Sequence, residues 1–265
     1  MSSKLPKIGQ AIIYIMKHGG KKMARKIYMT SFKGGTGVTT CAAGLALALA
    51  QAGERTLVLD GDALSACALQ ISGLANMQVY TLEDYSKGAC RAKQTLILHP
   101  KYCNLSYASS LGLKDKKIAN DAVEELEGLF DFIICDKIAQ QSCNSAIIVT
   151  EPYAPSIKAA DCCKAALADG GMKDTGIIVN KLNGGSILDG EVMTAQEISA
   201  LLRLPLKAVI PEDLSVPLGK WKKPTYRAFK AAAELIMGKR EQIVNVLRPY
   251  FGINGYIKRK ARDIV

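Results

Sequence analysis

Short apolar runs alternate along the chain with segments whose apolar positions recur at helical spacing. Lys26–Ser31 reads as a buried strand, and the Ala- and Leu-rich stretch Val38–Ala52 as a helix closed by Gly53. Strands are predicted at Arg55–Asp60, Phe130–Asp136, Ala146–Thr150, Gly176–Lys181 and Leu206–Asp213, with weaker ones at Leu96–His99 and Leu105–Ala108. Helices are predicted at Asp121–Gly128, Ser156–Ala168, Thr194–Arg203 and Thr225–Met237, before a C-terminal segment. Strands apolar on both faces that alternate with helices imply an α/β fold, a doubly wound, mostly parallel sheet covered on both sides. No repeat, low-complexity segment or linker divides the chain, so one domain is expected.

The chain has 265 residues, a length that suits one α/β domain with a large core, and 49% of them are apolar. No run of 18 apolar residues occurs, which excludes a spanning helix, and Ile8–Met16 is too short for one and lacks a small-residue cleavage site after it. Eight cysteines at scattered spacings, without a CxxC pair and with only His18 and His99, argue against zinc and against a disulfide framework. They fit reduced thiols in a cytosol.

The net charge of +11 is carried by the two ends. Residues 1–26 hold seven Lys or Arg and no acid, residues 239–265 hold seven against Glu241 and Asp263, and the body between has a charge of −1. Such tails are solvated or touch an anionic surface. Met23 precedes the first strand by a few residues, and Gly19-Gly20-Lys21-Lys22 reads as a translated purine-rich ribosome-binding sequence. Residues 1–22 are therefore expected to be an upstream extension without order, residues 23–238 the domain, and 239–265 a basic helix or tail.

The chemistry concentrates at "KGGTGVTT", Lys33–Thr40, between the first strand and the helix after it. Gly34, Gly35 and Gly37 permit close backbone approach, so that loop N–H groups and the helix N-terminus converge where a phosphate chain fits. Thr39 stands where a phosphate loop's hydroxyl meets Mg2+, Thr40 where one reaches an inner phosphate, and Thr36 and Val38 complete the loop. The plain alternative is a tight strand–helix turn. Likewise Asp60 and Asp136, at strand ends, serve either a ligand or a turn, and Asn180-Lys181 either a base or a strand-end bend.

With Lys33 ahead of the glycines, the loop resembles the deviant Walker A motif KGGxGK[ST][ST] of the MinD/ParA family of P-loop ATPases, over roughly residues 25–238. "LDGD" (Leu59–Asp62) resembles that family's switch I, "FDFIICD" its Walker B strand, "AIIVTEPYAPSIKAAD" its following segment, and "VIPED" (Val209–Asp213) its adenine-lining loop. The resemblance implies the P-loop NTPase fold, ATP or ADP with Mg2+, and a homodimer closed face to face around two ATP. It implies that Lys33 reaches the partner's phosphates and that Asp62 positions the attacking water. Asp136 would hold Mg2+ through water with Thr39, Asp60 beside it, and Asn180, Pro211, Glu212 and Asp213 would meet the base.

Two positions depart from the motif. Val38 stands where the loop lysine belongs, a loss of roughly 1.5–3 kcal/mol of charged hydrogen bonding, harsher for hydrolysis than for binding. After Asp136 the family's [ST]PAG is Lys137-Ile138-Ala139-Gln140, and Gln140 lacks the backbone freedom of glycine. The TadZ/CpaE pilus-assembly branch also replaces the loop lysine by a small residue, although its usual N-terminal receiver-like domain is not in this sequence. The tail, with Ile243, Val244, Val246, Leu247, Tyr250 and Phe251 near Arg248 and the cluster Lys258–Arg262, is similar in kind to the family's membrane-lying C-terminal helix, interrupted here by Pro249 and Gly252. The expectation is a MinD-like ATP-dependent switch that positions a bacterial division or polar machine with weak hydrolysis. It would be cytoplasmic, with a protein partner and a peripheral contact at the inner face of the cell membrane. A non-hydrolysing TadZ/CpaE-like scaffold is the alternative, and a ParA-like DNA partitioner is less favoured by the near-neutral body.

Overall fold

The computed structural model describes residues 23–216, 222–240, 242–245 and 247. Residues 1–22, the proposed extension, and the Lys258–Arg262 cluster lie outside them. The chain forms β1 (Arg25–Thr30), α1 (Val38–Gln51), β2 (Thr56–Asp60), α2 (Cys67–Ile71), α3 (Leu82–Ser86), β3 (Ile97–Leu98), β4 (Leu105–Ser109) and α4 (Ile118–Leu126). It continues through β5 (Phe132–Asp136), β6 (Ser145–Thr150), α5 (Ala154–Asp169), β7 (Asp174–Leu182), α6 (Gly184–Leu188), α7 (Ala195–Leu202), β8 (Leu206–Pro211) and α8 (Lys223–Ile236). The eight strands make one sheet in the order β3-β4-β2-β5-β1-β6-β7-β8, all parallel except β3, which pairs antiparallel with β4.

Alternation along each strand builds two faces. Ile27, Met29, Val58, Ile134, Ile147, Val149 and Ile178 face α1 and α8, whereas Leu57, Leu59, Ile133 and Cys135 face α3 and α4. Farther along that second face, Ile148, Ile177, Val179 and Val209 pack on α5 and α7. This two-sided burial is why the strands read as continuous apolar runs.

Helices α5 and α8 begin two residues earlier than their apolar periodicity suggests. Pro155 and Pro224 sit in their first turns, where a missing N–H costs nothing. Thr194 is the cap of α7 rather than its first residue: its hydroxyl accepts from Glu197 N (3.2 Å), and its own N–H donates to the Glu197 carboxylate (2.7 Å). Helices α2, α3 and α6 were not expected from the sequence.

After α8 the described tail residues 242–245 are not helical. Ile243 packs against the α5/α7 side of the core and Val244 against the α1/α8 side, so the chain passes around the edge of the sheet.

β1 lies between β5 and β6, with β2 beyond β5. The chain thus leaves β1 toward one side of the sheet and, after β5, crosses to the other. In open α/β sheets this arrangement leaves a crevice at the carboxyl ends of the central strands, where ligands bind.

Candidate functional site

Lys33–Thr40 occupies that crevice. Gly37, in left-handed geometry (φ 88°), is the N-cap of α1. The helix has no side-chain cap and no acidic residue in its first turn, so its leading N–H groups and positive dipole end face the loop uncompensated. Thr36 is buried and its hydroxyl donates to the Lys33 carbonyl (3.4 Å). Asn180, at the end of β7, donates from Nδ2 to the Thr36 carbonyl (2.8 Å), and an added Cβ on Gly37 would lie 2.4 Å from that nitrogen. The Asn180 amide that the resemblance sets beside a base is therefore also a brace under the loop. Gly34 and Gly35 are exposed, and Thr39 and Thr40 are half-buried on the first turn of α1. Val38 is 3% exposed and belongs to the core beneath the loop.

Parallel register brings the carboxylates to the loop's foot, with Asp60 opposite Asp136 on neighbouring strands and Asp136 opposite Met29. Gly61 permits this closeness, since a Cβ there would stand 2.1 Å from the Asp136 carbonyl. The two carboxylates differ. Asp60 accepts from the N–H groups of Asp62 (3.0 Å) and Ala68 (2.7 Å), one on each oxygen, and so anchors the turn into α2. Asp136 is buried with Oδ1 unpartnered, and the Thr39 side chain lies close enough to its carboxyl to favour the ionised form. Burial pushes its pKa up to about 6, against the lowering effects of Thr39 and Lys137. A buried carboxylate oxygen without a partner, beside a threonine hydroxyl, is a donor set suited to Mg2+ that also keeps waters and phosphate oxygens. Among the described residues no group of three or more His, Cys, Asp or Glu could hold a metal alone.

Asp62 turns into its own loop, where Oδ1 accepts from Leu64 N (3.0 Å) and Ser65 N (3.2 Å), and Oδ2 from Cys67 Sγ (2.9 Å) and the Ser65 hydroxyl. Burial raises its pKa, but these donors outweigh it and the net shift is downward. At the far side of the crevice Pro211 ends β8, and Glu212 accepts from Asn183 Nδ2 (3.1 Å). Asp213 accepts from Ser215, from Lys222 N (3.3 Å) and from Thr225 Oγ1 (2.8 Å), tying this loop to the start of α8.

Lys33 points across its own loop, with Nζ 2.6 Å from Glu151 Oε2, at the end of β6. The other Glu151 oxygen accepts from Lys181 Nζ (2.7 Å), which also donates to the Gly35 carbonyl (2.6 Å). Glu151 was not among the residues singled out from sequence, and Lys181 was noted there only with Asn180 as a base contact or strand-end bend; a charge at the end of an otherwise apolar strand is the signal that points to both. One sequence expectation is corrected. The glycine-like backbone after Asp136 falls at Lys137 (φ 57°) and Ala139 (φ 56°), not at Gln140, which opens a short 3₁₀ turn.

Residues 27–220 match the model of the CobQ/CobB/MinD/ParA nucleotide binding domain. A MinD of Chlorella vulgaris, described as septum site-determining, is 31% identical over 258 residues, 88% of this chain and 92% of that one. Among solved structures, the MinD cell division protein of Aquifex aeolicus superposes with a TM-score of 0.76 at 26% identity, covering 84% of this chain and 100% of that one. The MinC:MinD complex of the same organism matches with the same score at 25% identity, over 84% and 99%. The loop, the buried aspartate at its foot and these likenesses coincide, and the chain belongs to the CobQ/CobB/MinD/ParA nucleotide-binding family.

Proposed function

We propose that this chain is a MinD-type switch that binds adenine nucleotide with Mg2+ in the Lys33–Thr40 loop and, when loaded, pairs with a second copy. The observation that carries the reading is the unpartnered Asp136 oxygen beside Thr39, at the foot of an uncapped helix N-terminus. Thr39 and Asp136 would hold Mg2+, which when bound neutralises phosphate charge. Asn180 fixes the loop's shape, and the region around Pro211–Asp213 receives the base.

Pairing is supported by four exposed apolar side chains on the loops after β1, β2, β6 and β8, all at the carboxyl end of the sheet: Phe32 (59%), Leu64 (91%), Tyr153 (50%) and Leu214 (82%). Apolar groups gathered on one face around a polar cleft mark a contact surface. Lys33 lies on this face and is the side chain proposed to cross to the partner. Hydrolysis is slow in this reading, because Val38 offers no cation to the transferring phosphoryl group. The Aquifex relative is found in a complex with MinC, and a second protein is proposed to read the paired state of this chain.

The protein is proposed to be cytoplasmic, with a peripheral membrane contact made by the tail beyond residue 247. No helix among the described residues is long and apolar enough to cross a membrane. Calorimetry with Mg·ATP, with Thr39→Ala as control, tests the binding, and sedimentation of wild type and Lys33→Ala with ATP tests the pairing. Folded wild-type protein that takes up no ATP at millimolar concentration ends the switch reading. Binding without nucleotide-dependent pairing favours a monomeric scaffold.

A further inference from the structure

Val38 leaves the phosphate loop without its own cation, yet an ammonium group sits on the loop. Lys181 reaches it from the end of β7 and donates to the Gly35 carbonyl at 2.6 Å. Its backbone is left-handed (φ 55°), a conformation that costs a lysine free energy and is held by the structure around it. The side chain is 44% exposed and ends at the loop surface, whereas Val38 is locked in the core. Lys181 shares the Glu151 carboxylate with Lys33; the carboxylate is only 8% exposed, while the two lysine side chains are 44% and 38% exposed and open to solvent on their outer sides. A buried carboxylate gripping two ammonium groups beside an anion-binding loop occupies the electrostatic role that a phosphate would take.

We propose that Lys181 is the phosphate-facing cation of this site for binding, supplying the affinity but not the catalytic contact of the lysine that Val38 lacks, and that Glu151 holds it and Lys33 in the nucleotide-free chain until phosphate competes for them. The assignment rests on the nucleotide-binding reading above. Glu151 balances one of the two adjacent positive charges of Lys33 and Lys181, so a loop lined by N–H groups keeps excess positive potential. A triphosphate arriving in the loop meets that potential, draws Lys181 from the Gly35 carbonyl, and weakens the grip of Glu151 on Lys33. The lysine meant for the partner is thereby released when nucleotide is present. AMP, with one phosphate, exerts much less of this pull.

The test is calorimetry on the full chain with Mg·ATP and, separately, with AMP. Lys181→Met removes the charge and keeps the stem, while Lys181→Gln also keeps a donor for the Gly35 carbonyl. Both are expected to weaken Mg·ATP by about tenfold or more and AMP by less than about threefold, as loss of one charge-assisted hydrogen bond to the outer phosphates requires. Lys181→Arg is expected to restore most of the affinity, and Glu151→Gln to tighten Mg·ATP by roughly threefold or more. Equal losses for ATP and AMP, or none, overturn the assignment and leave Lys181 a brace for the loop. Should the Lys181 variants lose their fold by circular dichroism, Glu151→Gln decides alone, and unchanged or weaker ATP binding refutes the proposal. Wild type that binds neither ligand refutes the nucleotide reading and this assignment together, whereas wild-type binding with an unaffected Lys181→Gln refutes the assignment only.

Discussion

Replacing Gly37 by alanine separates two costs that the phosphate loop imposes. The residue has φ 88°, and its new Cβ would fall 2.4 Å from Asn180 Nδ2. Left-handed backbone costs an L-residue about 1–2 kcal/mol. The clash must also push Asn180, 5% exposed, off the Thr36 carbonyl, and leaving that buried pair unmade costs about 1–3 kcal/mol more. Together these give a loss of about 2–5 kcal/mol. Gly35→Ala is the internal control, because φ is 79° but nothing lies within 4 Å of the added carbon. It should cost only the backbone share, and the entropy that alanine removes from the unfolded chain is common to both variants. Urea unfolding followed by circular dichroism gives both values, provided the slopes match. The double variant Gly37→Ala/Asn180→Ala should fall short of the summed single losses by about 1–3 kcal/mol, since removing the amide removes the clash. Equal destabilisation by Gly35→Ala and Gly37→Ala would refute the claim that Asn180 braces the loop.

Three further outcomes are expected. Asp136 has a folded-state pKa of about 6 against an ordinary 3.8, so its ionised form is penalised in the fold by about 3 kcal/mol above pH 6, and the penalty fades as pH falls through 6 toward 4. In metal-free buffer Asp136→Asn should therefore stabilise the protein at pH 8 and be near neutral at pH 4, and an unchanged difference across that range would contradict it. Ala139→Gly relieves left-handed backbone in the loop after Asp136 and should raise stability by up to about 1 kcal/mol in thermal melts, whereas Gln140→Gly should lower it. Val38→Lys must thread its stem through core packing, so the empty protein should lose about 1–3 kcal/mol. With Mg·ATP the same change should raise steady-state hydrolysis about tenfold or more, and a tighter apparent affinity at constant kcat would instead locate the block in residues 137–140.

The sheet was largely legible, because each central strand is buried on both sides and has no polar face to confuse the period. Ends moved by one to three residues, at α5, α7 and α8 because caps and prolines rather than hydrophobicity decide. The five-residue helices α2, α3 and α6 were not legible, being too short to show a period. Asp60 N-terminal to α2, the Thr81–Asp84 capping box and the Asn183 cap hold them in place. The phosphate loop was legible because its glycines and threonines are contiguous. The Glu151 pairings were not, since Lys33 lies 118 residues away and Lys181 lies 30, and only the order β1-β6-β7 brings the three together. Gln140 attracted notice by aligning with a motif glycine, but left-handed backbone depends on the path back into β6, which no motif encodes.

The two rims of the sheet bear on how many copies can join. At one rim β3 offers only two residues, and they run against the direction of the other strands. At the other, the chain after α8 bends around β8, and Val244, Asn245 and Leu247 share a small cavity with Leu182 and Val209. Among the described residues, neither rim presents a long bare strand onto which a neighbour's could zip. Lateral growth into a ribbon is thus discouraged by construction, which leaves the proposed pairing to the end-on face around Phe32 and Tyr153. Contact through one such face is satisfied by a single partner, which favours a stoichiometry of two over an open-ended filament.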